Sequence, residues 1–249
     1  MRIHYRYIIP MLLAVLTAFS SCSDFFSNSW AKWAARDPNK LIPRVSLDNI
    51  DDLLKMAEND PDLSLAILKK LKNAADGASS DEDKAKLQSA ALEAAINAVG
   101  LGQAVISTAG KLTGLNGDDP ETEAKDLIVD AINGLTNLEE TSAALISVLP
   151  PVGSPEFDNF ASTASANDLA MAATVLVAGE AKKQADNFDG DFNEYLDDLE
   201  SRIRSGDPED LEESENLAQA MALAAALVGR QDELDSSLLN ALSGLGLLS

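Results

Sequence analysis

From residue 46 onward, apolar residues return at every third or fourth position and almost never in alternation. Leu47, Ile50, Leu53, Leu54 and Ala57 share one face at helical period. Alternating β-branched runs, which a half-buried strand needs, are missing, while Ala, Leu, Glu, Asp and Lys dominate. Helix-start signals punctuate the same stretch. Ser46 precedes the first periodic segment. Asp60-Pro61 opens the second, with Asp as cap and Pro at the first helical position. The two meet at Asn59-Asp60, which leaves room only for a tight antiparallel hairpin. Gly77-Ala78-Ser79-Ser80 reads as a turn, and Ser80 with Asp83 opens a long helix through roughly Ala98.

Farther along, Asn116-Gly117-Asp118-Asp119-Pro120 starts another helix. Leu149-Pro150-Pro151-Val152-Gly153-Ser154-Pro155 is the strongest breaker in the chain. Gly206-Asp207-Pro208 opens a helix over 209–229, and Asp232 or Asp235 begins the last one. The Asp-Pro starts at Asp60, Asp119 and Asp207 lie 59 and 88 residues apart, which is no repeat period. Three segments are apolar nearly all round: Ala90–Ala109 with a break near Gly100-Gly102, Leu169–Ala178 and Leu217–Val228. A helix apolar on every side is expected in a core. Glu93, Lys111 and Gln219 weigh against membrane insertion. The predicted fold is therefore all-α, a single domain over 46–249. It should be an irregular bundle or array of antiparallel helix hairpins, about eight or nine helices with no sheet, and a candidate hinge at 149–155.

The first 45 residues follow a different pattern. Met1–Tyr7 carries Arg2 and Arg6 and no acid, and Ile8–Phe19 is an apolar run. Ser20-Ser21-Cys22 follows. A basic start, a short apolar core and small residues before a cut describe a secretory signal over 1–21. The run is shorter than the roughly 20 residues a membrane span needs. A cysteine directly after two small residues resembles the lipobox of bacterial lipoproteins. That resemblance implies a diacylglyceryl group on the Cys22 thiol and a fatty acid such as palmitate on its amino group. Phe19 stands where leucine is usual, a looseness found in spirochaete lipoproteins. Ser23 rather than Asp after the cysteine fits delivery to the outer membrane of a diderm cell.

Residues 22–45 read as a lipid anchor and aromatic tether. Four of the nine aromatics after residue 21 fall there: Phe25, Phe26, Trp30 and Trp33. Their rings suit a membrane–water interface. Trp30 and Trp33, one helical turn apart, suit better a cap packed on the domain, since that spacing makes a packing face without any membrane.

Charge and absences narrow the chemistry. The formal net charge is −22, and without residues 1–21 it becomes −24, from 41 acids and 17 bases. Such a surface repels nucleic acid and anionic lipid, so no nucleic-acid partner is expected. The one histidine, His4, lies in the leader, and the one cysteine is Cys22. Past the leader there is no imidazole base, no free thiolate once Cys22 is lipidated, and no Cys/His zinc set. Serine–histidine and cysteine–histidine catalysis are excluded. Carboxylate pairs and oxygen-bound calcium are left open. Asp189–Glu200 places acids or amides at positions 1, 3, 5, 9 and 12 of a calcium loop, but Glu194 stands where that loop turns on glycine. Phe188, Phe192, Tyr195, Leu199 and Ile203 fit one face of a continuous helix over the same residues, so no metal site is expected. The acids from Asp207 to Glu215 fit a helix N-terminus.

The runs SSCSDFFSNSWAKWAARDP and SLDNIDDLLKMAENDPDLSLAILKKL, within residues 20–100, resemble the start of helical lipoproteins found in treponemes. The resemblance implies a diderm spirochaete setting and contributes no catalytic residue. A weaker likeness is to the lipoprotein component of tripartite periplasmic transporters, built from tetratricopeptide-like hairpins. Together these readings predict a non-enzymatic, lipid-anchored scaffold or interaction protein on the periplasmic side of the outer membrane. It would need no cofactor and would have an envelope protein as partner. The alternative is a carrier of an apolar or cationic small molecule between Ala-rich helices.

Overall fold

The computed structural model describes residues 42–112, 127, 129–184 and 214–235. Their helices are α1 (Ile50–Ala57), α2 (Pro61–Asp76), α3 (Asp81–Val99), α4 (Leu101–Leu112), α5 (Leu138–Val148), α6 (Pro155–Thr163), α7 (Ala166–Gln184) and α8 (Glu215–Ala226). A 3₁₀ turn covers Gln231–Glu233, and residues 129–133 are also helical. No strand occurs among the described residues, so this is an all-α array, as the hydrophobic period requires.

Local capping sets most of the starts. The side chains of Asp60, Ser80, Ser154 and Ser214 accept from Leu63, Asp83, Phe157 and Leu217 N–H at 3.0, 3.1, 3.2 and 3.4 Å. Each such cap contributes about 1 kcal/mol. Two starts differ from the sequence reading. α1 begins at Ile50, because the Asn49 side chain accepts from Ser46 N–H and donates to Arg44 O, which holds the preceding residues in a turn. The expected start at Gly206-Asp207-Pro208 lies outside the described residues. The helix bearing Leu217 begins only after Ser214, whose backbone is extended. The break between α3 and α4 falls at Gly100, whose φ of +73° puts it in the left-handed region. Glycine adopts that conformation without a Cβ clash.

The helix α3 lies at the centre, touching α1, α2, α4, α5, α6 and α7. Leu87, Ala91, Leu92, Ala95 and Ala98 are buried on one side of it, while Lys86 and Glu93 are exposed on the other. The helix α7 buries Leu169, Ala172, Val175, Leu176 and Ala178 around its circumference. Of the segments expected to be buried on all sides, Leu169–Ala178 is a core helix, whereas Ala90–Ala109 leaves Glu93, Gln103 and Ser107 exposed. The third such segment behaves differently. α8 buries Leu217, Ala220 and Leu223 on the side facing its neighbours α7, α5 and α6. Met221 on it and Val228, two residues past its end, stay 48% and 77% exposed. The expectation of complete burial fails there: among the described residues, its packing partners α7, α5 and α6 meet the side that carries Leu217, Ala220 and Leu223.

Buried polar groups serve helix ends, whose last carbonyls lack intrahelical donors. Gln88 and Gln219 donate from their Nε2 atoms to Val148 O and Pro150 O at 3.1 and 3.3 Å. Those bonds tie α3 and α8 to the segment that follows α5. Arg230 donates to Ala161 O and Ala164 O at 2.8 and 3.0 Å, placing a cation at the C-terminal end of α6. Among the described residues one buried side-chain group is left over: Thr141 Oγ1 has no hydrogen-bond partner. Replacing the hydroxyl by a methyl of similar shape removes an unmet desolvation cost. Thr141→Val should therefore stabilise the fold by about 1 kcal/mol, read as a denaturation midpoint higher by roughly 2–4 °C. A lower midpoint would show that the hydroxyl has a partner after all.

Candidate functional site

Cys22, Phe25, Phe26, Trp30 and Trp33 lie outside the described residues, as does the Asp189–Glu200 pattern. The described helices instead bring together three groupings with chemical character.

The first is a surface cavity of about 260 Å³ at the N-terminus of α5, lined by Ile132, Leu135, Asn137, Leu138, Glu139, Glu140 and Lys182. Leu138 is buried, while Glu139, Glu140 and Lys182 are exposed, so the floor is apolar and the mouth charged. Asn137 precedes the helix with φ +52° and donates its amide to Asp62 at 3.1 Å. Glu140 is committed to an ion pair with Lys69 of α2.

The second is a buried carboxylate. Glu180 on α7 is 2% exposed. Gln184 donates to one oxygen at 2.8 Å and Asn216 to the other at 3.1 Å. Burial pushes the Glu180 carboxyl up, yet hydrogen bonds from Gln184 and Ser214, the charge of Lys183 and the bond from Asn216 outweigh it. The net effect holds the group below the ordinary glutamate range. Ser214 and Asn216 flank the first residue of α8, so the carboxylate sits against that helix's positive end. An ionised, fully hydrogen-bonded carboxylate in such a place joins two helices and is held away from proton-transfer work.

The third is an acidic patch. Burial raises Glu93 on α3, and the negative charges of Asp168, Asp51 and Glu58 raise it further. Burial also raises Asp168, against the hydrogen bond from Ser165. The sign is opposite to that of Glu180: a carboxyl raised in the fold contributes stability at low pH and loses it as pH rises. No set of three or more His, Cys, Asp or Glu among the described residues is arranged to hold a metal ion. No described helix is long and apolar enough to cross a membrane.

Glu180 was not legible in the sequence, where it reads as one more solvated acid. Its partner Asn216 lies 36 residues away. The only local signal is an acid placed two residues after the apolar run that ends at Ala178. No family model matches the chain, and neither a curated protein nor a solved structure matches it.

Proposed function

We propose that this chain is a non-enzymatic interaction or scaffold protein held by lipid to a bacterial envelope membrane. It would be exported and cut before Cys22, then anchored on the periplasmic side of the outer membrane. One observation carries the reading. Ser20-Ser21-Cys22 follows a basic start and a short apolar run, and that cysteine is the chain's one thiol. Lipid on Cys22 leaves carboxylates, amines and hydroxyls as the reactive groups of the mature chain. Among the described residues, the most deeply buried carboxylate, Glu180, is committed to joining α7 and α8. The working surface is then the outside of a helical array, and its partner an envelope protein. The test is chemical cross-linking in native envelopes, followed by capture of the lipidated chain and identification of what comes with it. A partner protein recovered in constant ratio is expected. Recovery of the chain alone, at every cross-linker length, would contradict the reading.

The cavity favours a second reading, carriage of an apolar or cationic small molecule. The apolar floor suits a hydrocarbon body, and Glu139, across a mouth it shares with Lys182, is the group that would meet an amine on it. Extraction of the purified chain with organic solvent would then release a stoichiometric amine, whereas a clean extract counts against it.

A further inference from the structure

We propose that the cavity at the start of α5 binds a free apolar α-amino acid such as leucine, held by its two opposite charges and its aliphatic side chain. The proposal rests on the carriage reading above and names its ligand class. Ile132, Leu135 and Leu138 give the cavity a floor of aliphatic carbon. Glu139 and Lys182 stand at its mouth, both exposed. Neither side chain forms an ion pair among the described residues, whereas the neighbouring Glu140 is already paired with Lys69. One uncompensated anion and one uncompensated cation therefore share one mouth.

Those charges select the ligand. A simple cation would be drawn to Glu139 and repelled by Lys182, and a simple anion the reverse. A neutral ligand would strip water from both charges and replace it with nothing. A zwitterion answers both, with its ammonium toward Glu139 and its carboxylate toward Lys182. The hydrocarbon body then rests on the floor. A volume of about 260 Å³ lies below the roughly 300–1,000 Å³ of pockets for larger ligands, which suits one amino acid rather than a lipid.

The walls are held in place by the fold itself. Thr136 donates from its N–H to Val99 O and from its hydroxyl to Ala98 O, both at 3.3 Å, which fixes the turn before α5 to the end of α3. Asn137 donates to Asp62, and Lys69 holds Glu140, so α2 secures the same turn from a second side. On the third side α7 runs so close to α5 that a Cβ at Gly179 would collide with Ser142. Lys182 follows Gly179 by three residues and Glu139 precedes Ser142 by three, so the close approach sets the two charges at one mouth. Walls fixed in advance lower the ordering cost of binding.

The test uses the full mature chain, residues 22–249, with three probes: leucine, leucinamide, which lacks the carboxylate, and isocaproate, which lacks the amine. Binding is followed by the NMR shifts of the Leu135 and Leu138 methyl groups at about 0.15 M salt, where the Debye length is near 8 Å. Exposed charges contribute modestly, so leucine should saturate the site with a dissociation constant on the order of a millimolar. Leucinamide and isocaproate should each bind several-fold more weakly. Glu139→Gln should weaken leucine and turn the site toward isocaproate, while Lys182→Gln should weaken leucine and turn it toward leucinamide. Both side chains are exposed, so neither variant disturbs the core.

No saturable methyl shift with leucine would overturn the proposal. Leucinamide binding as tightly as leucine would also overturn it, while leaving a carrier of simple amines standing. Variants that do not exchange their preferences would remove Glu139 and Lys182 from the site and the proposal with them. Leucine binding by the purified chain, joined to a native extract free of amino acids, would support this site and count against carriage in the cell.

Discussion

Gly179→Ala is expected to destabilise the domain by about 2–3 kcal/mol, the cost of overpacking a core that cannot give way. Gly179 lies where α7 crosses α5. A Cβ there would sit 2.5 Å from Ser142 Oγ and 2.6 Å from Ser142 Cβ. The second contact decides the matter. A hydroxyl can rotate aside, but a Cβ moves only with its helix. Ser142→Ala should therefore fail to rescue the variant. Ser142→Gly removes both atoms and should recover most of the loss, less about 1 kcal/mol for a glycine inside a helix and the bond that Ser142 Oγ donates to Glu139 O. Chemical denaturation of the four chains in a double-mutant cycle reads the coupling directly. A Gly179→Ala chain as stable as the parent would mean that α5 and α7 do not approach so closely.

The second large effect belongs to Glu180. Glu180→Gln keeps the shape but replaces one acceptor oxygen by a donor, which then faces the amide of Gln184 or Asn216. The loss should be about 1.5–3 kcal/mol at neutral pH, the range for hydrogen bonds to a charged group. Its pH dependence follows from the sign of the shift. The Glu180 carboxyl titrates lower in the fold than in the unfolded chain. Its contribution is present above the unfolded pKa and is lost as pH falls through the folded one. The parent and the Gln variant should therefore converge in stability under acid and separate as pH rises. Parallel curves would mean that Glu180 carries no special contribution from its charge.

Much of the fold was legible because capping is local. Asp60-Pro61 and Ser80 with Asp83 each place the cap and the orphan N–H within four residues; Ser154-Pro155, read only as part of a breaker, proves to be a third such start. The central helix α7 was legible for a different reason. Its segment Leu169–Ala178 carries apolar residues on nearly all sides, which only a core accommodates. The open side of α8 was not legible, since the same composition describes a helix packed all round and one packed on a single face. Which side finds a neighbour is settled by where α7 lies. Glu180 and Gly179 escaped for a related reason. Each has its defining partner on another helix, Asn216 and Ser142 respectively, and nothing in the local pattern points there. The start of α1 shows competition at short range: Asn49 uses its amide to close a turn on Ser46, which moves the helix start to Ile50.

The anchor is the claim on which the functional reading turns, and the mass of the N-terminal peptide tests it most directly. The chain should be isolated from the membranes of the cells that make it, digested, and the peptide containing Cys22 measured intact. The expected peptide begins at Cys22 and carries a diacylglyceryl group on sulfur, with a further fatty acid on the amino group. A peptide with an unmodified Cys22, or one that retains residues 1–21, would contradict a lipid-anchored protein and with it the envelope setting of the partner.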